Sequence, residues 1–123
     1  MKKILVADDE ANIRLLVRST LEDEENWRIL EAVDGAEALA LIGTDAPDLL
    51  ILDLMMPRVS GLDVLKKLKA RPPAHPPIVV VLTAKVSEER NARALGAQFF
   101  LKKPFSPLDL MKIVEQVLGQ QVS

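Results

Sequence analysis

Leu49-Leu50-Ile51-Leu52-Asp53 is apolar for four positions and is closed by an acid. Strands covered on both faces of a parallel sheet read as continuous apolar runs of this kind, whereas half-exposed strands alternate. The same form recurs outward from it in both directions. Residues 4–7, I-L-V-A, run into Asp8 and Asp9; residues 78–82, I-V-V-V-L, run into Thr83; and residues 98–102, Q-F-F-L-K, run into Lys103 and Pro104. In an open parallel sheet, ligands bind outside the carboxyl ends of the strands. Four runs that end in aspartate, aspartate, threonine and lysine therefore predict one pocket holding three carboxylates, a hydroxyl and an ammonium.

Between the runs lie segments of helical periodicity, so the chain reads as a strand followed by a helix, five times over. The predicted strands are residues 3–7, Trp27–Ala32, Leu49–Asp53, Ile78–Thr83 and residues 98–102. The final helix is the clearest. Its apolar stripe is Leu110, Ile113, Val114, Val117 and Leu118. Ser106 can cap it, Pro107 suits the first position, Asp109 completes a capping box, Phe105 and Leu110 can form a staple, and Gly119 stops it. Arg28 and Glu31 interrupt the second run, and Gln98 and Lys102 flank the fifth, as suits sheet edges that must discourage further pairing. With right-handed crossovers, edges at two and five give the strand order 2-1-3-4-5 in a doubly wound α/β domain.

A chain of 123 residues makes one domain with its own core and leaves no room for a second. The absence of cysteine removes disulfides, thiolate metal sites and cysteine catalysis. A net charge of -2 without a basic run argues against direct nucleic-acid binding. Lys2 and Lys3 precede too short an apolar stretch for a signal peptide, and no run could span a membrane, so a cytoplasmic location without membrane insertion is expected.

Taken singly, Asp8, Asp9 or Asp53 would be read as a turn former or helix cap. Joint placement changes the reading. Two unit charges 4 Å apart repel by about 1 kcal/mol in water and about 4 kcal/mol at an effective dielectric of 20, so three clustered carboxylates call for a cation. Mg²⁺ fits, or Mn²⁺ in its place, because it takes oxygen ligands and keeps positions for water or phosphate. Three negative charges then meet three positive ones, two from the metal and one from Lys103. Glu10 stands outside that count and reads as a solvated residue near the start of the first helix.

The four motifs V-A-D-D-E, L-D-L-M-M-P around Asp53, L-T-A from Leu82 and K-P-F from Lys103 together resemble the receiver domain of two-component response regulators, chemotaxis regulators among them, over essentially the whole chain. The resemblance implies a single flavodoxin-like domain over residues 1–123 with no output domain. Asp53 would be the phospho-acceptor. Asp9, Asp53 and the Met55 backbone carbonyl would bind the metal, with Asp8 completing the acidic shell, and Thr83 and Lys103 would contact the phosphoryl oxygens. The Lys103–Pro104 bond would be cis. Thr83 and Phe100 would form the switch that alters the face built by the fourth helix, the fifth strand and the fifth helix. Phe100 lacks the hydroxyl of the more usual Tyr, and simple core packing is its plain alternative. The fourth helix, residues 87–95, carries only a thin apolar stripe and is expected to be weakly anchored.

The implied protein is a signalling module that catalyses its own phosphorylation, with self-dephosphorylation left open, and is not a turnover enzyme. Its donor would be a histidine kinase or phosphotransfer protein, since the single histidine, His75, lies in the stretch R-P-P-A-H-P-P at residues 71–77. That stretch reads as a stiff extended connector, with peptide docking as a second reading. Met55 and Lys85 are neither acids nor amides able to orient water, so slow loss of phosphate is expected. A downstream protein would bind the switch face. Gln98 and Phe99 stand where pairing relatives often carry acids, which favours a monomer over a phosphorylation-dependent dimer. Three other readings compete: a constitutive binding module that is never phosphorylated, a magnesium-dependent phosphohydrolase, and a nucleotide or flavin binder. The first would usually lack one of the acids or the Lys, and none is missing. The second wants an Asp at Met55, and the third a glycine-rich loop after the first strand.

Overall fold

The computed structural model describes residues 2–22 and 26–119. In chain order they form β1 (Lys2–Ala7), α1 (Ala11–Leu21), β2 (Trp27–Ala32), α2 (Gly35–Asp45), β3 (Leu49–Asp53), α3 (Gly61–Ala70), β4 (Ile78–Thr83), α4 (Glu89–Ala94), β5 (Phe99–Lys102) and α5 (Pro107–Val114). The strands are parallel in the order β2-β1-β3-β4-β5. This is the doubly wound flavodoxin-like architecture expected from the runs, with β2 and β5 at the edges.

The centre of the sheet is where the sequence is most continuously apolar. All five residues of β3 are buried. Successive side chains of a strand point to opposite faces, so each central strand feeds two cores. Leu5, Leu50, Leu52 and Val81 pack with Ala38, Ile42, Val64 and Leu65 under α2, α3 and α4. Ile4, Val6, Ile51 and Leu82 pack with Val17, Leu21, Leu110 and Val114 under α1 and α5.

Register carries the polar ends into one place. Ala7 pairs with Leu52, so the next residues, Asp8 and Asp53, emerge side by side. On the other flank Asp53 pairs with Leu82 and Thr83 with Lys102, which brings Thr83 and Lys103 to the same rim.

Helix ends follow local chemistry. Ser106 and Asp109 form the expected capping box with Pro107 in the first turn, and Phe105 joins the cluster that contains Leu110. A second capping box, Ser60 with Asp63, starts α3. The last helix departs from its expected regular run: α-helix gives way to a π turn over Glu115–Gly119. The fourth helix is also shorter than residues 87–95. A 3-10 turn over Val86–Glu88 precedes α4, which has no side-chain cap, buries only Ala92 and ends before Gly96 at φ 104°. A stretch with one buried anchor and no cap gains little from extending as α-helix. β5 begins at Phe99 and leaves Gln98 outside the ladder.

Candidate functional site

Asp8, Asp9 and Asp53 each offer a carboxylate oxygen, and the three oxygens lie within 4.8 Å of one another. Asp8 is fully buried, Asp53 is 6% exposed, and Asp9 is exposed to solvent. Lys103 enters from beyond β5. Its Nζ donates to Asp8 Oδ2 at 2.9 Å and to Glu10 Oε1 at 3.0 Å, and stands 3.6 Å from Asp53 Oδ1. The peptide bond that follows it, Lys103–Pro104, is cis, and the Lys103 N–H donates to the Thr83 carbonyl at 2.8 Å.

Burial and crowding leave their mark on the acids. Burial first, then the neighbouring Asp8 charge, push the Asp53 carboxyl up to about 6, against the pull of Lys103. Burial also raises Asp8, opposed by the Glu10 N–H at 2.8 Å and by Lys103. Burial disfavours the Lys103 ammonium, but its hydrogen bonds to Asp8 and Glu10 prevail and raise it. One ammonium thus faces the carboxylates of Asp8, Glu10 and Asp53, with Asp9 a fourth acid in the cluster. A hard oxygen set with this excess of negative charge suits a divalent cation such as Mg²⁺, and the residues present fit it.

Glu10 is half-way to its expected role. Its side chain is 61% exposed, yet it pairs with Lys103 rather than standing free in solvent. Its position at the N-cap of α1 turns it back over the pocket. Arg14, one turn further along α1, donates to the Asp8 carbonyl at 2.7 Å and to Glu31 at 3.0 Å, fixing the end of β1 against β2.

The loop after β3 is held from behind. The Met55 N–H donates to Asp53 Oδ1 at 3.4 Å, and the Met55 side chain is exposed at the rim. A Cβ on Gly61 would lie 2.2 Å from the Asp53 carbonyl oxygen, so α3 can start this close to β3 only with glycine. Arg58, at φ 63°, reaches across to Asp34, the N-cap of α2, and the Gly35 N–H donates to the Val59 carbonyl at 3.0 Å. The Glu37 N–H and the Arg58 guanidinium hold the Asp34 carboxyl below the usual range. None of these supports was anticipated. The pairs S-G at Ser60 and D-G at Asp34 were the available signals.

Thr83 closes β4 at the rim of the acids without bonding them, and Phe100 lies further back along β5. The Thr83 hydroxyl, 4% exposed, donates to the Lys85 carbonyl at 2.9 Å and accepts from the Lys85 N–H at 3.0 Å. Phe100 is half-buried against the α2–α3–α4 core, with the Arg93 guanidinium 4.5 Å from its ring centre. Phe99 faces the opposite core, as strand alternation requires.

The chain's resemblances fall in one group. The sequence profile of the response regulator receiver domain matches residues 4–115. The chain is 39% identical over 119 residues to the alkaline phosphatase synthesis transcriptional regulatory protein PhoP of Bacillus subtilis (strain 168), covering 95% of this chain and 48% of that protein. It is 40% identical over 120 residues to the transcriptional regulatory protein CpxR of Klebsiella pneumoniae subsp. pneumoniae (strain HS11286), covering 96% and 50%. The chain thus spans about half the length of these curated relatives. Among solved structures, the chemotaxis response regulator CheY4 of Vibrio cholerae superposes with a TM-score of 0.86 at 33% identity, over 96% of this chain and 99% of that one.

Proposed function

The chain belongs to the receiver domain family of two-component response regulators, and we propose that within it Asp53 is the residue that accepts the phosphoryl group. The observation that carries this reading is the convergence of Asp8, Asp9, Asp53 and Lys103 at the carboxyl ends of β1 and β3 and just beyond β5. A carboxylate is a weak nucleophile, so the work of such a site is positioning and charge neutralisation.

An Asp53 oxygen forms the new O–P bond as the bond from phosphorus to the donor's leaving group breaks. Lys103, already within 3.6 Å of Asp53, follows the charge onto the phosphoryl oxygens. Asp9, Asp53 and the Met55 carbonyl would hold Mg²⁺, with Asp8 behind them. The cation would neutralise the acids and the equatorial oxygens of the transferring group. Thr83 would exchange its Lys85 contacts for the phosphoryl group, and Phe100 would follow it, altering the face of α4, β5 and α5. A ligand shifts such an equilibrium only by its differential affinity for the two arrangements, and the new hydrogen bond from Thr83 supplies one.

The donor is a histidine kinase or a phosphotransfer protein, and the module is a signalling domain rather than a turnover enzyme. Met55 and Lys85 place no acid or amide at the rim, which favours a long-lived phosphoryl group.

Intact mass spectrometry after incubation with Mg²⁺ and a small-molecule phosphodonor tests the reading. One phosphoryl group is expected on the wild type with metal, and none on Asp53→Ala or without metal. Folded wild type that stays unmodified under every condition replaces this reading with a constitutive binding module.

A further inference from the structure

At the end of the sheet opposite the acids, the chain carries two apolar grooves that share Leu68 and Pro73. The first has a volume of about 370 Å³ and lies between the end of α3, the proline segment and the end of α4. Leu65, Leu68, Pro72, Pro76 and Leu95 form its walls, and Val79, near the start of β4, lies within it. The second, of about 510 Å³, continues over Leu39 and Ile42 of α2. Each is large enough for one or two bulky side chains, at the lower end of the range for binding pockets.

The rims carry one sign of charge. Lys69 and Arg93 border the first groove, Lys67 and Arg71 the second, and among the described residues no acid lines either. Among the described residues none of these four forms a salt bridge. Lys69 donates to the Ala94 carbonyl at 3.0 Å, tying α3 to α4, and the Arg93 guanidinium carbon lies 4.5 Å from the Phe100 ring centre, a contact that leaves its charge unneutralised. The carboxyl ends of α3 and α4 add about half a negative charge each, which four full cations outweigh. On a chain of net charge -2, such a strip is a local reversal of sign.

We infer that this double groove is a docking site for an acidic segment of a partner protein, whose leucine or phenylalanine side chains fill the two hollows while its carboxylates meet Lys67, Lys69, Arg71 and Arg93. The prolines suit the role, because a wall with preset backbone loses little entropy on binding. The walls are aliphatic and offer no aromatic platform for bases, which sets single-stranded nucleic acid aside as the occupant. The groove lies away from Asp53 and is already formed in the unphosphorylated chain, so its test on metal-free, unmodified protein is separate from that of the proposed function.

The test is an NMR titration of the full chain, metal-free, with a short peptide of glutamate and aspartate carrying leucine and phenylalanine one helical turn apart. The controls are the same peptide with serine at the apolar positions and an oligothymidine. Saturable shifts confined to amides around Leu68, Val79 and Leu95 are expected. Binding should weaken at least about tenfold in Lys67→Glu/Arg71→Glu. Lys67→Gln/Arg71→Gln, milder for the fold, should weaken it less but in the same direction. The inference is overturned by shifts that fail to saturate or scatter over other faces, by equal binding of the serine peptide or oligothymidine, or by unchanged affinity in both variants.

Discussion

Asp53 is 6% exposed beside a fully buried acid, and its carboxyl stands at about 6 where an ordinary aspartate stands at 3.8. Because the folded form binds this proton more tightly than the unfolded chain does, ionising Asp53 lowers stability. The loss develops as pH rises from about 4 to about 6 and stays constant above that. In metal-free buffer at neutral pH, Asp53→Asn is therefore expected to be more stable than wild type by on the order of 1–3 kcal/mol. Urea unfolding at several pH values checks this. The advantage should shrink as pH falls through 6 and disappear near 4. Asp8, Asp9, Asp53, Thr83 and Lys103 were legible as a set, because each closes or follows a strand run and the runs end at one edge of the sheet. Glu10 was not, because only the turn into α1 brings its carboxylate back to Lys103.

The connections between elements contain the positions least forgiving of change. Gly61 is one, since its missing Cβ makes room for the Asp53 carbonyl oxygen and the Leu54 backbone. Neither obstacle is a flexible side-chain tip. Gly61→Ala is expected to cost at least about 2 kcal/mol and to displace Asp53, slowing phosphorylation as well as lowering the urea midpoint. Ala46 is the opposite case. It ends α2 at φ 47°, with its side chain exposed and its N–H donating to the Ile42 carbonyl at 3.3 Å. A left-handed residue with a Cβ costs roughly 1–2 kcal/mol, against 0.5–1 kcal/mol for glycine's extra freedom. Ala46→Gly should raise stability by about 0.5 kcal/mol in thermal or urea unfolding, without touching phosphorylation. The apolar runs and capping residues made strands and helices readable from local chemistry. The thin apolar stripe of the fourth helix marked it as weakly anchored, but neither its 3-10 start nor the π turn after α5 has a sequence mark as specific as a capping box.

At the scale of the molecule, the two cores hold the strand ends still while the acids repel one another between them. A cation that binds only the folded arrangement stabilises it by mass action. Mg²⁺ is therefore expected to raise the melting temperature of the wild type in a saturable way, and chelation to reverse the gain. Asp9→Asn, which alters an exposed side chain, should leave the metal-free melting temperature nearly unchanged and abolish most of the magnesium response. Differential scanning fluorimetry reads both. The apolar runs at residues 4–7, 49–52 and 78–82, the charged edge strands and the polar residue at each strand end were enough to determine the parallel sheet, its order and the five residues at its carboxyl rim. They are local signals, and burial on both faces leaves a strand little freedom in composition. Only the tertiary structure decided that Lys103 bonds Asp8 and Glu10 more closely than Asp53, that Arg58 braces the β3–α3 loop against Asp34, and that four cations border a proline-walled groove. Those contacts join residues distant in sequence, and their partners are fixed by the register of the strands and the packing of the helices rather than by any neighbour along the chain.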